Sequence, residues 1–162
     1  MRLRTRHCRI FEYTVLAGTP DAIDLEPADI GVRHPFFDCL LLTVGVEHDN
    51  PRVAEIAVPV VRRIVARAGA WQIVVNGFLD AAERDVENRA DARAILSELS
   101  ERLEERGELV HLMPFGWVNT WYADLLDTAD TEISIHVPLF DDTYPNVPLS
   151  RTCPTPSVRS RH

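Results

Sequence analysis

The sequence contains no lysine, and all 17 of its positively charged side chains are arginine. Such a chain has no ε-amino group for a Schiff base, for a Walker-type phosphate loop or for a lysine general base. It has only three cysteines, Cys8, Cys39 and Cys153, and no Cys-x-x-Cys spacing. Neither a zinc knuckle nor a disulfide framework is therefore expected, and the reducing cytoplasm is the expected setting.

Long apolar runs are also absent. No stretch approaches the roughly 20 apolar residues of a membrane-spanning helix, and no apolar core of a secretion signal follows the N-terminal arginines. We therefore expect a soluble protein without a membrane partner. Because the net charge is −8 at pH 7, a nucleic acid would have to bind a local basic surface.

Standard catalytic motifs are missing as well. The sequence has no G-x-S-x-G, no H-E-x-x-H, no glycine-rich phosphate loop and no zinc-ligand spacing, so it indicates neither a metal nor a cofactor. Each histidine falls near a predicted strand end or in a loop, where a surface position is expected. They are His7, His34, His48, His111, His136 and His162.

What is present is the pattern of one α/β domain. Predicted strands cover residues 3–15, 36–46, 71–76, 108–112, 117–126 and 131–137, and predicted helices cover residues 51–68 and 88–106. Asn50 and Pro51 begin the first helix, and Gly69 and Gly107 end the two helices. This order predicts a mixed sheet carrying two helices over residues 1–137. Residues 138–162 are rich in proline and are expected to form an extended tail.

Two apolar helix faces and one row of arginines follow from spacing. The apolar face that the first helix should bury comprises Val53, Ile56, Ala57, Val60, Val61, Ile64, Val65 and Ala68, and Pro59 should bend this helix. The face that the second helix should bury comprises Ala90, Ala94, Ile95, Leu99 and Leu103. Arg2, Arg4, Arg6 and Arg9 have mostly the same parity in the first strand and should share a face. That row is either an ordinary solvated surface or an edge that contacts phosphate.

The most distinctive stretch is residues 111–121, His-Leu-Met-Pro-Phe-Gly-Trp-Val-Asn-Thr-Trp. Pro114 cannot donate to a sheet ladder and Gly116 can adopt backbone angles closed to other residues, which predicts a kinked turn between two strands. A purely structural turn is one interpretation. The other is a place on the ligand-binding rim of an α/β sheet, together with Glu47 and residues 76–80 at other strand ends.

Further segments match one protein family in the same order along the chain. They are residues 7–13 (His-Cys-Arg-Ile-Phe-Glu-Tyr, against His-Ser-Asp-Tyr-Ile-Glu-Tyr in the family), Val46-Glu47, Asn50-Pro51, residues 73–80 (against Tyr-Pro-Phe-Ala-His-Leu-Ser) and Glu132. Together with Pro114-Phe115-Gly116 they resemble the N-terminal editing domain of archaeal threonyl-tRNA synthetases. That family shares its fold with D-aminoacyl-tRNA deacylases, so the resemblance implies that fold.

The resemblance also implies a function. In the family, a lysine and a histidine attend the ester of a mischarged seryl-tRNA, the tRNA's own 2′-hydroxyl assists, and hydrolysis releases the amino acid. The implied partner is the 3′ end of an aminoacyl-tRNA or a small aminoacyl substrate, with no cofactor and no metal. The family pairs through its sheet, which implies a homodimer. No synthetase body follows the domain in this sequence, so a free-standing copy is expected.

Three positions depart from the family pattern. The family's lysine is Asn119 here, its second tyrosine is Val118 and its third-strand histidine is Phe78. Asn119 can donate a hydrogen bond to a carbonyl but carries no charge. Three hypotheses follow: a trans-editing deacylase with altered substrate choice, a repurposed enzyme of specialised metabolism, and a non-catalytic binding or dimerisation module.

The resemblance implies one pocket at the strand ends. Asn119 is its expected catalytic residue, orienting a carbonyl, and Glu132 is expected to hold an amine. Phe78 and Val118 should make the pocket drier than the family's, so that it prefers a group less polar than serine. The remaining expected lining residues are His7 and Glu12 near the floor, with Val46, Glu47, Gly77 and Trp117.

Overall fold

The computed structural model describes residues 1–20, 22–46, 52–79, 86–126 and 132–137. It confirms a mixed β-sheet with two helices. The elements are β1 (Arg2–Gly18), a short 3-10 turn (Pro27–Asp29), β2 (Arg33–Val46), α1 (Arg52–Ala68), β3 (Gln72–Leu79), α2 (Val86–Glu105), β4 (Val110–Leu112), β5 (Trp117–Leu125) and β6 (Glu132–His136). The tail expected over residues 138–162, and the cap expected at Asn50 and Pro51, lie outside the described residues.

The sheet is organised around its longest strand, β1. The strand order is β4-β3-β2-β1-β5, and β6 also pairs with β1. β1 is antiparallel to β2, β5 and β6, whereas β2, β3 and β4 run parallel to one another. β5 pairs with β1 from Cys8 to Gly18, and β6 pairs with it from Arg2 to Arg6. The two short strands therefore follow one another along the same edge of β1.

Helices α1 and α2 cover one face of the sheet, called the helix-covered face. Its core combines apolar residues of both helices with Leu3 of β1 and alternate residues of β2 and β3. Pro59 lies inside α1 as predicted. Most of the predicted helix faces is confirmed, since the buried residues include Val53, Ala57, Val61, Ile64, Val65, Ile95, Leu99 and Leu103. Ile56 and Ala94 are exposed, however, and Val58 and Leu96 are buried in addition.

The alternation of side chains between the two faces of the sheet is inverted in the middle of β1 and β2. Cys8 and Phe11 differ in parity, yet both are buried in one cluster on the face away from the helices. Between the pairs Cys8–Cys39 and Ile10–Phe37, the residues Arg9 and Asp38 have no partners in the β1–β2 register. Asp38 has a φ of +48°. Each strand therefore carries one irregular residue at the same level, and beyond it the side-chain alternation is inverted.

The face away from the helices is concave. The Tyr13 hydroxyl lies 2.7 Å from Nε2 of His111, although β2 and β3 separate their strands. In a flat sheet these strands would be about 14 Å apart, so the sheet must curl for the two side chains to meet. The concave face is defined here by its buried residues, which are Cys8, Phe11, Tyr13, Val15, Cys39, Leu41, Val74 and Met113.

The kinked turn between β4 and β5 is confirmed. Gly116 has a φ of +78°, a conformation that glycine adopts without a steric penalty. The backbone N–H and hydroxyl of Thr19 both donate to the Gly116 carbonyl, at 2.9 and 2.6 Å. The turn is thereby tied to the chain that leaves β1.

A first prediction concerns the irregularity at Asp38. Asp38→Ala should lower the free energy of unfolding by about 2–4 kcal/mol, because alanine tolerates a positive φ poorly and His7 loses its hydrogen-bond partner. Asp38→Gly removes only the partner and should have a smaller effect. Asp38→Asn keeps both features and should change stability least. Urea unfolding measures the series, and equal losses for alanine and asparagine would contradict this account.

Candidate functional site

Asn119 lies on the concave face, opposite Val15 in the register of β1 and β5. Its Nδ2 donates to the Trp117 carbonyl at 3.1 Å, and its Oδ1 is buried without a hydrogen-bond partner. The neighbouring carbonyl can only accept, which fixes the orientation of the amide. One N–H of the amide is thus used within β5, and the second N–H and the oxygen remain for a ligand.

Trp117 anchors this end of β5, and Val118 points away from it. The Trp117 ring packs against the concave face, and its Nε1 donates to the Ile23 carbonyl at 2.8 Å. Val118 alternates with Asn119 along the strand, so it lies on the opposite side of the sheet and is half exposed. The expected shared pocket therefore does not include Val118.

Val46, Gly77 and Phe78 are neighbours at the ends of β2 and β3, but they face two sides. Val46 is buried in the helix-covered core, and a Cβ at Gly77 would collide with Leu96 of α2. Phe78 is paired with Gly45 and lies on the concave side, where its ring packs against that glycine. Only Phe78 of the three shares a face with Asn119, and the strand register places these two residues at opposite ends of β1. Glu47 lies outside the described residues.

Glu132 shares the concave side with Asn119, but it already has charged partners. It is opposite Arg6 in the register of β1 and β6, and its carboxylate is 3.3 Å from Arg6 and 3.8 Å from Arg4. Arg2, Arg4 and Arg6 alternate with the buried Leu3 and Thr5, so these three arginines share one face as predicted. Arg9 of the predicted row lies at the irregularity, outside that alternation. A ligand amine at Glu132 would have to compete with two guanidinium groups.

The expected floor residues, His7 and Glu12, are not on the concave face. His7 precedes the irregularity at Arg9 and is on the helix-covered side, where Nε2 lies 2.8 Å from Oδ1 of Asp38. Glu12 follows the irregularity and points to the outer side, 3.7 Å from Arg33. The prediction that these two residues form the floor of the pocket is therefore wrong, because strand alternation and its inversion at Arg9 direct both side chains away from the concave face.

Sequence reasoning missed an aromatic and imidazole cluster on the concave face. Tyr13 stacks on His34 with ring centroids 4.8 Å apart, and the Phe36 ring is 4.7 Å from that of His111. His34 and His111 were expected at the surface, but each is only partly exposed. The alternation of His34 with Phe36, opposite Phe11 and Tyr13, is the sequence signal that could have revealed it.

Tyr13 and His111 of this cluster are held in their neutral forms. Burial, together with the positive charge that His34 can carry, lowers the pKa of His111. Burial, followed by the charge of Asp29, raises the pKa of Tyr13 to about 12. At neutral pH the contact between these two side chains therefore joins a phenol and a neutral imidazole, and an imidazole in that state can accept a proton.

Two further observations limit the site within the described part of the chain. No group of three or more His, Cys, Asp or Glu side chains there is arranged to hold a metal ion. Neither described helix combines the length and apolar character needed to cross a membrane.

A second prediction uses the His111 pKa. In the folded protein it lies below the 6.5 of an unperturbed histidine, so below pH 6.5 the unfolded chain binds more protons than the folded one. The His111 contribution to stability is complete above pH 6.5 and is lost as the pH falls toward the folded pKa. His111→Gln keeps an acceptor for Tyr13 but cannot titrate, so its unfolding free energy should fall less with acid. Parallel pH profiles in urea unfolding would contradict this.

Comparison with known proteins supports one relation. No family model matches the chain. A threonine–tRNA ligase of Thermofilum pendens is 28% identical to it over 131 residues, which are 79% of this chain. The chain spans only 21% of the length of that ligase. This similarity supports a relation between the chain and the threonyl-tRNA synthetases.

Proposed function

We propose that this chain binds the aminoacylated 3′ end of a tRNA and hydrolyses the aminoacyl ester, with a substrate choice that differs from that of the synthetase editing domain. The observation that carries the proposal is the similarity to a threonine–tRNA ligase over 79% of the chain. The Pro114-Phe115-Gly116 turn, which the editing domain also has, lies at the start of the strand that bears Asn119. The D-aminoacyl-tRNA deacylase-like fold belongs to the same proposal.

The concave side has the chemistry that an unpaired RNA end requires. Arg4 and Arg6 give it local positive charge in a protein whose net charge is −8. Trp121 is opposite Tyr13 on the same face, with its ring centroid 6.3 Å from that of Phe11, and it is half exposed. Arginine contacts to phosphate and stacking of bases on aromatic rings are how proteins hold single-stranded nucleotides.

Asn119 is the residue we assign to the ester. Its second amide N–H donates to the ester carbonyl while water attacks the carbonyl carbon, and the products are the free amino acid and the tRNA 3′-hydroxyl. A neutral amide orients the carbonyl and stabilises the oxyanion by one hydrogen bond, without the charge of a lysine. Phe78, at the position of the family's histidine, is at the Arg2 end of β1 through its partner Gly45, whereas Asn119 is opposite Val15, so Phe78 is not assigned to the ester site.

A non-catalytic binding module is the second candidate. Two observations favour it: the Glu132 carboxylate is paired with arginines, and one N–H of Asn119 is used within its own strand. Such a module would keep the arginines and aromatic rings of the concave side and would bind RNA without turnover.

A third prediction separates these candidates. The chain should release amino acid from at least one member of a panel of aminoacyl-tRNAs, with seryl-tRNA and less polar esters included. Asn119→Ala should lower that rate by about 10²–10³, the usual effect of removing one oxyanion donor. Val118→Ala is the matched control, because it alters the adjacent residue on the opposite side of β5 and should leave the rate unchanged.

Binding must be measured with the same proteins. Fluorescence anisotropy with a short RNA ending in CCA reports on the 3′-end site independently of hydrolysis. Bound RNA together with intact charged tRNA throughout the panel would support the binding module and reject the hydrolase. Absence of both would reject the RNA-directed function altogether.

A fourth prediction is a homodimer formed through the outer side of β1, β2 and β5. Phe37 and Tyr122 are 61% and 60% exposed, and they flank Ile10 and Glu12 of β1 on a side that no described helix covers. Burying about 300 Å² of apolar surface per protomer there would contribute several kcal/mol at about 25 cal/mol per Å². Light scattering at micromolar concentration should therefore give twice the mass of one chain.

Tyr122→Arg should shift this equilibrium to the monomer, since it places a charge at the centre of the contact. Leu109→Arg is the control, because Leu109 is 56% exposed and directly precedes β4, at the edge of the sheet farthest from β5. A wild-type monomer, or equal effects of the two variants, would count against the assignment.

A further inference from the structure

Cys8 and Cys39 form a directly opposed pair at the centre of the sheet. They are partners in the antiparallel register of β1 and β2, and both are fully buried on the concave face. Opposed residues of antiparallel strands have Cα atoms about 4.5 or 5.5 Å apart, depending on the hydrogen-bonding position. Both separations fall within the range that a disulfide spans. The backbone would therefore not have to move for the two sulfurs to be joined.

The two thiols already interact in the reduced protein. The hydrogen bond from the Cys39 thiol lowers the pKa of Cys8, and the same bond raises the pKa of Cys39. The Cys8 thiol also lies 3.7 Å from the Arg6 carbonyl. Cys8 is thus the thiol that ionises first, with Cys39 beside it, and a thiolate is the reactive form of cysteine.

The position of the pair next to the irregularity gives an oxidant access. Arg9 and Asp38, the residues next to the cysteines, have no partners in the β1–β2 register. A ladder interrupted in this way opens locally at a lower free energy than a continuous one. Brief opening would expose the thiols to a molecule as small as a peroxide without unfolding the domain.

We propose that Cys8 and Cys39 are a redox modification site, which hydrogen peroxide converts to a reversible cross-strand disulfide. The Cys8 thiolate attacks one peroxide oxygen, the O–O bond breaks, and hydroxide leaves and takes up a proton to become water. The Cys39 thiolate then attacks the Cys8 sulfenic sulfur, the S–O bond breaks, and a second water is released. Two thiols are oxidised to one disulfide, and one peroxide is reduced to two waters.

The disulfide would fix the point at which the sheet inverts its faces. It would join β1 to β2 beside Asp38, the level from which Tyr13 and Phe36 continue the concave face. This site does not depend on the proposed tRNA function, because it rests only on the strand register and the thiol chemistry.

The test uses the full chain. Reduced protein is treated with a small excess of hydrogen peroxide, free thiols are blocked with N-ethylmaleimide in denaturant, and a digest is analysed by mass spectrometry. We expect a peptide pair linked between Cys8 and Cys39, loss of both thiols, and recovery of both with dithiothreitol. The linked protein should melt roughly 5–10 °C higher, as expected for a cross-link that closes a loop of this length.

Single-cysteine variants test the order of the steps. Cys39→Ser keeps a hydroxyl that can donate to the Cys8 sulfur in place of the Cys39 thiol. It should therefore consume peroxide roughly tenfold faster than Cys8→Ser, which retains the less acidic thiol. Cys153→Ser should form the Cys8–Cys39 link as the natural chain does. Linkage of either cysteine to Cys153 instead, stepwise addition of oxygen without a link, or a link that forms only in denaturant would each overturn the proposal.

Discussion

The structure depends on one irregularity that β1 and β2 share. Arg9 and Asp38 are passed over at the same level of the ladder, and Asp38 adopts a left-handed conformation with His7 as its partner. Before Arg9, the side chains of β1 that face away from the helices are arginines and Cys8. After Arg9 they are Phe11, Tyr13 and Val15, because one extra residue in each strand inverts the alternation.

The same irregularity explains why the concave side has two chemical parts. The arginine row and Glu132 lie along the half of β1 that pairs with β6, and the aromatic and imidazole cluster lies along the half that pairs with β5. A ligand on this side would meet charge at one end and flat aromatic rings at the other. An unpaired nucleotide end, with phosphates and bases, has the matching distribution of groups.

The two halves of the sheet also differ in what covers them. The half that contains β1 before Arg9 is covered by α1 and α2, whose apolar faces exclude water from Leu3, Leu42 and Val44. The half that contains β1 after Arg9 extends beyond the helices, and its outer side leaves Phe37 and Tyr122 exposed in the described part of the chain. One long strand therefore takes part in a water-excluding core, a ligand-facing surface and an uncovered surface. Cys8 and Cys39 lie where these three regions meet.

Local sequence signals are sufficient to predict the elements and the fold class. Apolar periodicity and Gly69 and Gly107 placed both helices to within a few residues, and Pro114 and Gly116 located the turn, because these signals act through local backbone geometry. These signals did not determine the extension of β1 and β2 to Gly18 and Arg33, since pairing between distant segments overrides the loop-like composition there.

Which side chains share a face depends on pairing between distant segments of the chain. Nothing in the sequence marks Arg9 or Asp38 as irregular, so strand parity alone could not place His7 relative to Glu12. The meeting of Tyr13 with His111 depends on the curl of four strands, and no local pattern encodes it. Alternation is a local property of a strand, but one inserted residue reverses it for every residue that follows, and the sheet as a whole fixes where that residue lies.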